Sequence, residues 1–108
     1  MSHQPLPPNP VPQPDLVALQ PGAVVSRTLV KAAGGTVTAF AFDTGEALSE
    51  HSAPFDALVF GVEGTAEVAI AGAPHRVAAG DILLLPANVP HGLRATTPFK
   101  MILVMIKA

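Results

Sequence analysis

Two histidines are the side chains of this sequence best suited to chemistry. His51 lies six positions after Gly45 and near the carboxylates of Glu50 and Asp56. His91 follows Pro90 at the end of a turn-forming stretch, Pro86-Ala87-Asn88-Val89-Pro90. An imidazole titrates near neutral pH and has one ring nitrogen free to accept or deliver a proton, so such a pair can serve as general acid and base. In a pocket it can equally hold an organic ligand by hydrogen bonds. No nucleophile motif or phosphate-binding loop competes with these readings. The absence of cysteine excludes disulfides, thiolate metal sites and a cysteine nucleophile.

Short strands must position these residues. From Asp15 onward the sequence breaks into apolar runs separated by Gly, Pro, Asn and Asp: Leu16–Leu19, Val24–Lys31, Thr36–Asp43, Ala57–Val62, Thr65–Ala71, His75–Ala78, Ile82–Leu85, Gly92–Ala95 and Phe99–Lys107. The third alternates Thr36, Thr38, Phe40 and Phe42 against Val37, Ala39 and Ala41, as a two-faced strand does. No window of helical length shows a period near 3.6. The expectation is an all-β, antiparallel jelly-roll barrel over residues 15–108 with no substantial helix. Residues 1–14 form a separate proline-rich arm, with prolines at 5, 7, 8, 10, 12 and 14 that favour extended polyproline geometry.

The two motif stretches resemble those of the cupins, whose first motif is Gly, five residues, His-x-His, three or four residues, Glu, six residues, Gly. Gly45, His51 and Gly64 fall on it in register. The second is Gly, five residues, Pro-x-Gly, two residues, His, three residues, Asn, and Gly80, Pro86 and His91 fall on it. The resemblance runs from about residue 22 to the C-terminus. It implies a small-molecule pocket inside the barrel and a divalent metal held by four protein ligands.

This chain departs from that ligand set. Ala53 replaces the second His of the first motif and Ala57 its Glu, while Asn88 and Ala95 take the Gly and Asn positions of the second. Only His51 and His91 remain, and a catalytic metal usually needs about three protein ligands. Asp56 is the nearest third donor. Strict alternation aims it away from His51, and a bulge at Pro54 would return it to the inner face. The cofactor expected is therefore either none or a divalent ion (Zn, Ni, Mn or Fe) on His51, His91 and Asp56.

Ala53, Phe55, Ala57, Met101 and Met105 are expected to line the pocket, with His51 and His91 as its catalytic or polar groups. The favoured function is binding of a small organic molecule, with or without metal. The alternative is a metal-dependent dioxygenase, isomerase or lyase acting on a small oxygenated substrate. His75 and Arg94 are expected to be solvated.

Composition limits the partners. The chain is 49% hydrophobic and 13% charged, which leaves little polar surface for a monomer and points to a homodimer. Ile82–Leu85 and Met101–Ile106 are apolar on both faces, and a second copy is expected to cover their outer side. A formal charge of -2 with scattered basic residues offers no footprint for nucleic acid or anionic membrane. The N-terminus lacks the pattern of a secretory signal, and the apolar run at Met101–Ile106 is too short to span a bilayer, so a cytoplasmic location is expected.

Overall fold

A computed structural model describes residues 2–107, and for Ser2 and His3 the backbone alone. Met1 and Ala108, at the outer ends of the two expected segments, lie outside the described residues. Ten strands follow in order: β1 Ser2–His3, β2 Val24–Ala32, β3 Gly35–Phe42, β4 Ala47–His51, β5 Asp56–Glu63, β6 Thr65–Ile70, β7 Ala73–Ala78, β8 Ile82–Leu85, β9 His91–Ala95 and β10 Phe99–Ile106. A single three-residue 3₁₀ turn, Gln13–Asp15, is the helical content of the described residues. The fold is the all-β, antiparallel jelly roll expected, with one short parallel pairing between β1 and β2.

The strands form two sheets in the orders β1-β2-β3-β10-β5-β8 and β4-β9-β6-β7. Turn chemistry divides them. Gly45, Gly64 and Gly80, the glycines of the motifs, take φ of +83°, +74° and +90°, conformations that a β-carbon disfavours. Asn88 sits at +64°. It occupies the cupin glycine position, and asparagine is one of the few other residues that enter this region readily.

Alternation sends one face of each strand between the sheets. Phe40 and Phe42 of β3, Val59 of β5, Val68 of β6, Leu93 of β9, and Phe99 and Met101 of β10 form the main core. The rings of Phe40 and Phe42 stack with centroids 5.8 Å apart, and Phe99 lies tilted against Phe42 at 6.1 Å. The opposite face of β3 is buried too. Ala39 and Ala41 pack with Leu29, Leu16 and Val17 in a second cluster, flanked by Val11 and Ile102.

That second cluster changes one expectation. The outer side of β3 and of β10 at Ile102 is covered by the chain's own N-terminal segment. The prolines hold the segment extended, and Arg27 of β2 ties it down. Arg27 donates to the carbonyls of Gln4 (Nε, 3.0 Å), Leu16 (Nη1, 3.0 Å) and Pro5 (Nη2, 3.4 Å). Lys100 Nζ donates to the Pro14 carbonyl at 2.7 Å. Its 3.6 Å ion pair with the exposed Glu63 adds little, because solvent screens it.

Burial outweighs these polar ties: Leu16 and Val17 are 6% and 8% exposed, and covering such a side chain is worth about 1.5–3 kcal/mol. Leu16→Ala should therefore destabilise the fold by about 2–4 kcal/mol in urea unfolding. Arg27→Met should lose only about 1–2 kcal/mol while making the segment before Leu16 more sensitive to limited proteolysis. An equal or reversed ranking would mean that the arm is held by its polar contacts.

Candidate functional site

Pairing between β4 and β9 builds the site. Leu48 lies opposite Leu93, and both sides of this pair face the core. Two steps back along β9 from Leu93, alternation keeps His91 on the inner face. Three steps along β4 from Leu48, the same rule would turn His51 outward. A register shift between Leu48 and His51 prevents this and places His51 directly opposite His91. One extra residue in the Ser49–Glu50 stretch thus returns His51 to the inner face, the usual consequence of a bulge.

The imidazoles meet edge to face, with centroids 4.5 Å apart. His51 Nδ1 lies 2.9 Å from the Ser49 carbonyl, and His91 Nδ1 lies 3.2 Å from the Val89 carbonyl. A carbonyl oxygen can only accept, so both Nδ1 atoms carry the proton. In each neutral ring the remaining nitrogen, Nε2, then holds a free lone pair.

Both rings line a cavity of about 290 Å³ between the sheets, close to the lower end of the usual range for ligand pockets. Its wall is otherwise apolar. Phe40, Met101, Leu103 and Met105 form one side with the Thr38 hydroxyl; Leu48, Val68, Gly92 and Leu93 form the other, and Val59 and Leu85 complete it. No charged side chain lies on the wall. His51 is exposed at the rim and His91 is half-buried.

The expected site residues divide cleanly. His51, His91, Met101 and Met105 come together at the cavity. Ala57 is buried in the core, but neither it nor Ala53 or Phe55 is part of the wall. The Ala53 carbonyl instead accepts from the Asn88 N–H at 2.7 Å, and the Phe55 ring lies 5.6 Å from Lys107 Nζ.

Asp56 does not join the histidines. Ala57 and Val59 face the core, so Asp56 faces away, and its Oδ1 accepts from the Ala87 N–H at 2.8 Å. Pro54 lies between β4 and β5 and no bulge there returns Asp56 to the inner face; a separate register shift within β4 redirects His51. Thr38, Leu48, Val59, Val68, Leu85 and Leu103 were not singled out from the sequence. Each sits at an inward position of a two-residue alternation, and strand pairing was needed to show which face that was.

Metal binding can be judged from the donors present. Among the described residues no group of three or more His, Cys, Asp or Glu side chains is arranged to hold an ion. Two imidazoles supply only part of the donor set of a divalent catalytic metal. The protein groups at this site therefore do not make a complete metal centre by themselves.

Two packed sheets with a pocket between them and a motif histidine on each of two paired strands define a cupin-type jelly roll. A family model described as "Cupin domain" matches residues 39–106, and the chain belongs to the cupin family. Solved structures agree. A conserved protein of unknown function from Streptococcus pyogenes superposes with a TM-score of 0.90 at 34% identity, covering 95% of this chain and 90% of that one. A cupin 2 conserved barrel domain protein from Leptotrichia buccalis is 38% identical with a TM-score of 0.84, over 87% of this chain and 46% of that one. A cupin superfamily protein from Desulfitobacterium hafniense shares the fold at 23% identity and a TM-score of 0.90, over 96% of this chain and 95% of that one. No match was found among curated proteins. Among the described residues, no helix is long and apolar enough to cross a membrane.

Burial holds the His91 imidazole below its ordinary 6.5; its hydrogen bond to the Val89 carbonyl opposes the shift, and nearby His51 adds to it. On acidification the unfolded chain takes up the His91 proton before the folded one does, so this histidine's contribution to stability declines as pH falls through 6.5 towards the lower folded value. NMR titration should give a His91 midpoint below 6.5, and His91→Asn should flatten the stability profile in that window. A midpoint at or above 6.5 would show that the ring is better solvated than its surroundings indicate.

Proposed function

We propose that this cupin binds a small, largely apolar organic molecule in the cavity between its sheets, with His51 and His91 as the polar groups that orient it. The observation that carries this reading is the partly open, largely apolar cavity of about 290 Å³ lined by two imidazoles in edge-to-face contact. A pocket with mostly apolar walls and few convergent polar groups is the usual form of a small-molecule site. Burial of the ligand supplies affinity, and the imidazoles supply orientation.

The alternative is a metal-dependent dioxygenase, isomerase or lyase, and His51 and His91 at two family ligand positions favour it. Such an enzyme would need donors from the substrate or solvent to complete the ion's shell. Two measurements on the full chain separate the readings. Purified protein equilibrated with Zn, Ni, Mn or Fe should retain less than one ion per chain after dialysis, and small apolar molecules should raise its melting temperature without metal. Leu103→Trp, which fills the cavity, should abolish that response. One tightly held ion per chain, lost in a His51→Ala/His91→Ala variant, would instead support the metal-dependent enzyme.

We also propose that a second copy of the chain covers the free edge beyond β8. Ile82 and Leu84 point outward there, 60% and 49% exposed, and pair with Phe60 and Leu58 of β5. An uncharged apolar edge strand next to an apolar face invites uncontrolled pairing unless a partner covers it. Two-fold pairing of two such edges would bury both in a closed dimer. Light scattering should give the dimer mass for the wild type and the monomer mass for Leu84→Glu. A monomeric wild type would overturn this assignment.

A further inference from the structure

We propose that the ligand of the cavity is a neutral, largely apolar molecule with a phenol- or enol-type hydroxyl, which donates its one proton to the Nε2 lone pair of His91, while the exposed His51 Nε2 is left to water or a second donor. This inference rests on the reading of the cavity as a small-molecule site and adds the chemistry that the site selects.

The Ser49 and Val89 carbonyls lie two residues before the histidines they hold, and each occupies the Nδ1–H of its ring. This equivalent anchoring fixes the same tautomer in both neutral rings and leaves Nε2 of each as an acceptor. No hydrogen bond to either Nε2 is made by the described residues. The imidazole end of the cavity therefore presents two acceptors. The Thr38 hydroxyl, which can donate or accept, is the other polar side chain on the wall.

A ligand that buries this end must bring a donor, because an acceptor left dry and unpaired carries a desolvation penalty. A carboxylate or phosphate would bring only further acceptors. It would also place a charge where no Lys or Arg lines the wall to meet it. An ether or ester of the right shape would fill the apolar part and leave the nitrogens unsatisfied. A neutral O–H on an unsaturated carbon satisfies an Nε2 and remains uncharged near neutral pH. Its planar carbon skeleton suits a wall built of Phe, Val, Leu and Met. Exposed His51 can exchange its ligand for water at the rim, so the half-buried His91 carries most of the discrimination.

Three probes of similar size, 4-ethylphenol, 4-ethylanisole and 4-ethylbenzoate, test this on the full chain. The protein is first dialysed against chelator, and titrations are run near pH 8, where a phenol with a pKa of about 10 is still neutral. Calorimetric titration should show the phenol binding at least about tenfold more tightly than the anisole, with no saturable binding of the benzoate. On phenol binding, the Nε2 resonance of His91 should shift as its lone pair accepts a proton bond. His91→Leu should bring phenol and anisole affinities together. Should that variant fail to fold, the wild-type ranking and the Nε2 resonance still decide the matter. Equal wild-type affinities for phenol and anisole would overturn the donor assignment while leaving the cavity a binding site. Preference for the benzoate would overturn it by showing that the imidazoles act as donors or cations. Failure of all three probes to bind would overturn both the assignment and the binding-site reading beneath it.

Discussion

Side chains on a strand alternate between two faces, so one displaced pairing moves everything beyond it to the other side of the sheet. The site of this protein depends on that constraint. Leu48 and Leu93 secure the β4–β9 pairing in the core. The shift at Ser49–Glu50 then changes parity once, bringing His51 across from His91. Gly92 stands beside the irregularity, where a β-carbon would lie 3.3 Å from the Glu50 nitrogen and the Leu48 carbonyl oxygen. A side chain there would press on the backbone whose course sets the histidine pair.

The same constraint gives each sheet an outer face that needs cover. A small domain has one interior, yet β3 is apolar on both sides. Here the N-terminal segment supplies a second layer, placing Leu16 and Val17 on Ala39 and Ala41. The small size of these alanines lets the extended segment lie close against the sheet. Cover stops short of β8, where Ile82 and Leu84 remain exposed. One sheet thus has an outer face covered by its own chain at one end and uncovered at the other.

The chemistry of the cavity follows from what this cupin lacks as well as from what it keeps. Alanine stands at two of the four family ligand positions, and Asp56, the carboxylate beside the missing Glu position, is engaged with the Ala87 N–H on the opposite side of its strand. The remaining imidazoles are oriented by backbone carbonyls, a kind of partner that also orients metal-binding histidines. Their low-polarity surroundings disfavour charge on His91. In their neutral forms the two rings offer a pair of Nε2 acceptors to a largely apolar cavity.

Much of this was legible in the sequence because it is local. Alternating residues and turn formers marked eight of the ten described strands, but missed β1 and the His51 strand β4, and the run Leu16–Leu19 is not a strand; the motif glycines marked three left-handed turns. The spacings Gly45–His51–Gly64 and Gly80–Pro86–His91 identified both histidines. Other features depend on pairing between residues far apart in the chain. Ala53 and Ala57 were expected on the cavity wall because they occupy two family ligand positions, and Phe55 as a core or wall residue, but a motif position does not determine which volume a side chain enters. Pro54 was a reasonable place for a bulge; the actual register shift arises where β4 meets β9. By itself the sequence determined the strand pattern, the turns and the identity of the imidazoles, because backbone conformation and alternation act over a few residues. Only the tertiary structure decided that His51 turns inward, that Asp56 turns away and that Leu16 and Val17, with Val11 beside them, cover β3. Those outcomes depend on register and packing between distant segments, which no local pattern specifies.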